Sequence, residues 1–310
     1  MTFCTSNECN PGLGCSAICR GRNCGDRVVG GDVDIGGDHD AFSRALRCAD
    51  VSGVHDSNIS FTGGALQYGS GITTDISSRI KNSTGAVLID TNSNNVTFAS
   101  AVDSTNTLGL TKNGSGTLTL NGNNTYTGTT TINTGTLQIS STGLLGGGNY
   151  AGNIVNTGAF IIGSNSNQTL SGAISGIGAL TKNGTGTLTL SGNNNYSGGT
   201  TINTGTLVIG HANAAGTGTI TQTDASSLLK FDTTGTITNA MSVYNVLASQ
   251  SATLSGAITV NNAVFDVATG ETLTISNTIN GTGGVTKNGT GTLVLSGSNS
   301  YSAPTVINAG

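Results

Sequence analysis

Apolar and polar residues alternate along this chain in short bursts of three to five residues, each burst closed by glycine or asparagine. Leu118 and Leu120 flank Thr119, Leu188 and Leu190 flank Thr189, and Leu293 and Leu295 flank Val294. A period of two predicts a strand with one buried face. A second short strand is predicted around Ile132, Ile202 and Ile307, and a third at Leu137 with Ile139 and at Leu207 with Ile209. Asn113-Gly114, Asn183-Gly184 and Asn288-Gly289 supply turns before the first of these strands, because Asn and Gly tolerate positive φ. Further strands are predicted upstream of each group: Val96 with Phe98, then Leu170 with Ile174, then Leu273, Ile275 and Ile279.

The groups are copies of one segment. LTKNGSGTLTLNGNNTYTGTTTINTGTLQI (Leu110 to Ile139) and LTKNGTGTLTLSGNNNYSGGTTINTGTLVI (Leu180 to Ile209) match at 24 of 30 positions, and VTKNGTGTLVLSGSNSYSAPTVINAG (Val285 to Gly310) is a third copy. Such self-similarity marks a repeat architecture, in which a unit buries its apolar face by stacking on its neighbours. Three short strands with turns between them make a coil of about 20 to 25 residues, the scale of one rung of a parallel β-helix. With the strand that precedes each copy, the unit comes to about 40 to 45 residues, or two rungs. The expected fold is therefore all-β, a right-handed parallel β-helix, or β-solenoid, with an irregular cysteine-rich N-terminal segment. Residues 61–310 would form a rod on the order of 50 Å long at about 4.8 Å per rung. Leucine and isoleucine would fill its interior, and asparagine and aromatic ladders would line its turns or faces.

Composition agrees and divides the chain. The 310 residues include 49 Gly, 2 Pro and no Trp, with 8% charged residues and a net charge of -4, which leaves no electrostatic footprint for nucleic acid or an anionic membrane. No run of 18 apolar residues is present, so transmembrane helices are not expected. Residues 1–60 hold all six cysteines, Cys4, Cys9, Cys15, Cys19, Cys24 and Cys48, and read as a leader distinct from residues 61–310. The leader lacks a signal-peptide pattern and any C-x-x-C, which disfavours a zinc site and leaves three disulfides or a non-native start as readings. The run Gly30 to Asp40 gathers Asp32, Asp34, Asp38, Asp40 and His39, but Gly36 and Ser43 break an EF-hand and His39 and Ala41 break a calcium nonapeptide. A solvated acidic loop is expected there.

The pattern L-T-K-N-G-[ST]-G-T-L-T-L-[NS]-G-x-N-x-Y-[ST]-G-x-T-x-I-N-x-G-T-L resembles the autotransporter-associated β-strand repeat, also called the passenger-associated transport repeat. The resemblance covers residues 61–310, including Gly63 to Ser100 as passenger-like sequence. It implies the passenger stalk of a bacterial surface protein exported through an outer-membrane β-barrel, with host-surface or glycan ligands among the partners. The barrel translocator lies outside this chain, which reads as truncated inside its third copy. The cysteine-rich leader departs from the family pattern.

Catalytic chemistry has few candidates. Glycoside hydrolysis needs two carboxylates facing one bond, and the acids of residues 61–310 are Asp75, Asp90, Asp103, Asp224, Asp232, Asp266 and Glu271. Asp224 and Asp232 lie eight residues apart in a less regular stretch and could meet only by chance, and solvated turns are the expectation for both. They define the alternative reading, a carbohydrate-active β-helix enzyme. His211 reads as a turn residue, and Lys112, Lys182 and Lys287 as solvated side chains beside their Asn-Gly turns. Gly143 to Gly152 lacks the Gly-Lys-Ser/Thr ending of a phosphate loop. The many threonines would suit an ice-binding face only if Thr-x-Thr recurred in every rung, whereas the third copy has Val294 and Thr305-Val306-Ile307. No catalytic, cofactor-binding or metal-binding residue is assigned, and a non-enzymatic role is expected.

Overall fold

The computed structural model describes residues 58–310 and the backbone of two earlier strands, Val33–Ile35 and Leu46–Cys48. The chain is an all-β parallel solenoid of about 12 turns, and every strand pairing is parallel. At about 4.8 Å per rung this gives a rod of roughly 58 Å. The two early strands join the same stack, Val33–Ile35 on Ile59–Phe61 and Leu46–Cys48 on Leu66–Tyr68. The side chains of the cysteine set and of the acidic run Gly30 to Asp40 lie outside the described residues.

The strand grouping differs from the sequence expectation. Leu110–Asn113 is itself a strand, as are Ala179–Lys182 and Val285–Asn288. Each copy therefore starts with a strand rather than a turn. Within the first copy Leu110–Asn113 lies under Thr130–Ile132, and Thr117–Leu120 lies under Thr136–Ser141. The Leu118 and Leu137 strands thus belong to successive rungs rather than to one coil. The upstream strands separate in the same way, since Gln168–Leu170 and Ile174–Ser175 stand in different ladders.

Nor do the copies repeat in phase with the rungs. Leu118, in the second strand of copy one, lies in a column that continues through Leu137 and Phe160 to Leu180, in the first strand of copy two. Leu188, in the second strand of copy two, lies in a column that continues through Leu207, Leu229, Val246 and Phe265 to Lys287, in the first strand of copy three. Each copy is consequently turned by one face of the solenoid relative to the copy before it. The cause is arithmetic: from Leu118 the next three rungs take 19, 23 and 20 residues and end at Leu180, eight residues before Leu188, the equivalent of Leu118 in copy two.

Inward side chains form one continuous core from Ile59 to Val285. Alternation builds it, as in Ala159–Ser164, where Phe160, Ile162 and Ser164 are buried between outward neighbours. Glycine is required where one rung approaches the next without room for Cβ. A Cβ on Gly116 would sit 1.9 Å from the carbonyl oxygen of Asn94, and Gly114 turns at φ +82° against the backbone of Asn92.

Two substitutions test this packing. Leu188→Ala removes a fully buried side chain from an interior column and is expected to cost about 2 to 5 kcal/mol, measured by denaturant unfolding. Gly116→Ala must push two rungs apart and should lower the unfolding midpoint at least as much, whereas an equal midpoint would show that the rungs can separate freely.

Candidate functional surface and the staples behind it

The signature residues of the repeat turn inward or toward the next rung. Lys112, Lys182 and Lys287 were expected in solvent, yet they are 0%, 0% and 5% exposed. Their strands alternate with the lysine on the buried side: Leu110 and Lys112 face in while Thr111 and Asn113 face out. Lys112 stacks between Ile89 and Ile132, Lys182 between Ile162 and Ile202, and Lys287 between Phe265 and Ile307.

A buried ammonium needs acceptors, and the turn carbonyls supply them. Lys112 Nζ donates to Asn113 O at 2.8 Å, to Gly114 O at 2.7 Å and to Thr134 O of the next rung at 3.3 Å. Lys287 Nζ repeats the set with Asn288 O and Gly289 O, both at 2.8 Å, and Ala309 O at 3.1 Å. Lys182 Nζ donates to Gly184 O and to Thr204 O at 3.3 Å. Each lysine therefore closes its own Asn-Gly turn and ties it to the turn above. Burial pushes the Lys112 and Lys182 ammonium groups down to about 8, opposed at Lys112 by the Asp90 carboxylate.

Two more signature positions act between rungs, and a third locks a corner within one coil. Asn133 Nδ2 donates to Asn113 Oδ1 at 2.8 Å, Asn203 to Asn183 at 2.6 Å and Asn308 to Asn288 at 2.8 Å. The hydroxyl of Tyr126 meets Thr130 Oγ1 at 2.9 Å, Tyr196 meets Thr200 and Tyr301 meets Thr305, both at 2.5 Å. Tyr126 and Tyr196 lie inside the core rather than on an outer ladder. The Asn of G-x-N binds both neighbours: Asn124 Oδ1 accepts from Val102 N at 2.9 Å while Nδ2 donates to Leu144 O at 3.0 Å. Asn194 does the same with Ile174 N and Ala214 O.

What faces solvent is mostly hydroxyl and amide. Thr181, Thr201, Thr221, Ser242 and Thr259 form one outward column over five rungs. Beside it Asn183, Asn203 and Thr223 are linked side chain to side chain at 2.6 Å. These positions come from the second copy and from the rungs above it. Equivalent threonines of different copies stand on different faces, so comparing copies does not reveal the column.

The two acids considered for catalysis are engaged structurally, Asp224 within its own turn and Asp232 with the next rung. Asp224 Oδ1 accepts from Ser226 N at 2.6 Å, and hydrogen bonding from Ser226, its side chain first and then its backbone N–H, holds the Asp224 carboxyl below the usual range. Asp232 accepts from Ser249 Oγ at 2.7 Å and lies 3.7 Å from Lys230 Nζ. His211 Nδ1 accepts from Asn213 N at 3.1 Å inside its own turn. Among the described residues no three His, Cys, Asp or Glu side chains gather to hold a metal, and no helix is long and apolar enough to cross a membrane.

The geometry defines a class: a β-solenoid whose recurring motif stitches rung to rung. The motif is that of the passenger-associated-transport-repeat, whose sequence profile matches residues 110–139, 180–209 and 285–310. Among curated proteins, the chain is 36% identical over 267 residues to "Adhesin BmaC autotransporter" of Brucella suis biovar 1 (strain 1330), an alignment covering 73% of this chain and 8% of that protein. The chain is thus an autotransporter passenger region that carries passenger-associated transport repeats. It spans about 8% of the length of the curated relative it matches. No solved structure matches it significantly.

Two outcomes follow from the buried lysines. With an amine-acylating reagent, Lys112 and Lys182 should react far more slowly than the partly exposed Lys230 in the folded protein and equally fast after unfolding, as read by peptide mass spectrometry. Stability should also depend on pH through these groups. Their protons leave at about 8 in the fold but at about 10.4 in the unfolded chain. Between those values the unfolded state holds more protons, so stability rises with pH from about 8 to 10 relative to a Lys112→Met/Lys182→Met variant. Above pH 10 the buried Tyr126, Tyr150 and Tyr196, whose hydroxyls are pushed upward by burial, reverse the trend, because the unfolded tyrosines ionise first. Denaturant midpoints measured in parallel from pH 7 to 11 check both signs.

Proposed function

We propose that this region works as the stalk of an autotransporter passenger, displayed at or released from the bacterial surface, and that it acts by holding and presenting surface rather than by catalysis. A barrel translocator in the full protein would carry it across the outer membrane. The observation that supports this reading most is that the lysines and asparagines of the motif hold adjacent rungs together while its tyrosine and threonine lock a corner within one coil. The relative's name, an adhesin, supports an adhesive role, and the outward hydroxyl column is the surface suited to it. That column carries no charge, which favours a neutral polar partner such as a glycan over nucleic acid.

Display of residues 58–310 on a heterologous autotransporter barrel, followed by protease shaving of intact cells, tests the stalk. A protease-resistant, β-rich passenger released from the surface is the expected product. A helical or unfolded circular dichroism spectrum would sink it. Adhesion is tested by replacing Thr201 and Thr221 with Lys: binding to a glycan panel or host-matrix surface should fall while the spectrum and melting temperature hold. Turnover of a polysaccharide that disappears on Asp224→Asn or Asp232→Asn would instead favour the enzyme reading.

A further inference from the structure

We propose that each complete copy of the motif is a folding nucleus, a self-closing pair of half-rungs that forms first and to which the intervening rungs then add. The proposal goes beyond the stalk reading and does not depend on it.

It rests on where the contacts end. In copy two the first strand pairs with the third and the second with the fourth, Leu180 with Thr200 and Leu188 with Leu207. The Lys182 to Thr204 bond, the Asn203 to Asn183 bond and the Tyr196 to Thr200 bond all lie inside residues 180–209. Copy one is closed by the same set within residues 110–139. Thirty residues thus contain both layers of a minimal stack together with the staples that join them. The loops closed are about 20 residues long, short enough that their entropy is recovered at once by contacts made within the same unit.

Rungs between copies close loops of similar length, but their ties are dispersed: Ser249 to Asp232 and Ser251 to Glu271 each give a single bond to a carboxylate, where a motif lysine gathers two or three carbonyls at one turn. Gln168 and Gln222 join neighbouring strands through neutral amides, Gln168 to Leu145 and Gln222 to Tyr244 and Asn245. Hydrogen bonds from an ammonium are about twice as strong as such neutral ones. Asn124 and Asn194, by contrast, point out of their copies to the rungs on both sides. They give each nucleus a defined docking site for the next rung in either direction, which is the condition for propagation along a quasi-one-dimensional stack. Copy three lacks a strand above Thr292–Leu295 within this chain, and its Ile307 remains 68% exposed, so it is not expected to nucleate here.

The test is pulse-labelling hydrogen exchange with mass spectrometry during refolding of the whole chain from denaturant. Peptides from residues 110–139 and 180–209 should gain protection before those from 210–284 and 285–310. Simultaneous protection, or earlier protection of 210–284, would overturn the proposal. Lys182→Met should slow refolding of residues 180–209 by about tenfold with little change in unfolding rate, while Leu254→Ala, in an intervening rung, should mainly speed unfolding. A Lys182→Met variant that refolds at the native rate and only unfolds faster would also overturn it. If Lys182→Met does not fold, the order of protection in the unmodified chain still decides.

Discussion

A parallel stack of rungs must satisfy the carbonyl groups of its corners, and in this solenoid a buried ammonium does so at the three turns that define the repeat. An unpaired buried charge would be prohibitive and an unpaired buried carbonyl costly, on the order of 1 to 3 kcal/mol. Placing Lys112, Lys182 and Lys287 beneath their own Asn-Gly turns lets each problem solve the other. The lysine stem fills an interior column between apolar neighbours, while its head reaches the carbonyls of two successive rungs. The glycines, the Asn pairs and the Tyr-Thr contacts are arranged around that closure.

Because rung length and copy spacing do not divide evenly, the staples are spread around the rod. Successive copies present the same strand on successive faces. The rod is therefore tied on different sides at different heights, and no face carries all the staples. The same offset decides what the outside shows: a surface column is drawn from mixed copies and intervening rungs, as in Thr181, Thr201, Thr221, Ser242 and Thr259. A ligand that read the repeat copy by copy would have to wind around the rod. One that lies straight along a face meets hydroxyls at each rung.

This distribution of chemistry fits a part whose work is extension and display. Many of the motif's polar residues tie rung to rung, and of the acids weighed for catalysis Asp224 serves its own turn while Asp232 bonds Ser249 of the next rung.

Much of the fold was legible in the sequence because its code is local. Alternation of two marked the strands of Leu118, Leu188 and Leu137, glycine and asparagine marked the turns, and thirty-residue identity marked a stack. The resemblance to passenger repeats rested on the same residues. The strand Leu110–Asn113 escaped because a lysine in an inward position hides the alternation of L-T-K-N; reading Lys112 as buried restores it. The phase of the copies escaped for a different reason. Register is set by how many residues each turn consumes, and turns here range from Met241 facing Ile258 to Val33 facing Ile59, 17 to 26 residues apart. By itself the sequence determined that this chain is a β-solenoid of stitched repeats. Only the tertiary structure decided which strands lie over which, and hence that the lysines are buried and the threonines form a face, because stacking contacts join residues about twenty positions apart that no local pattern relates.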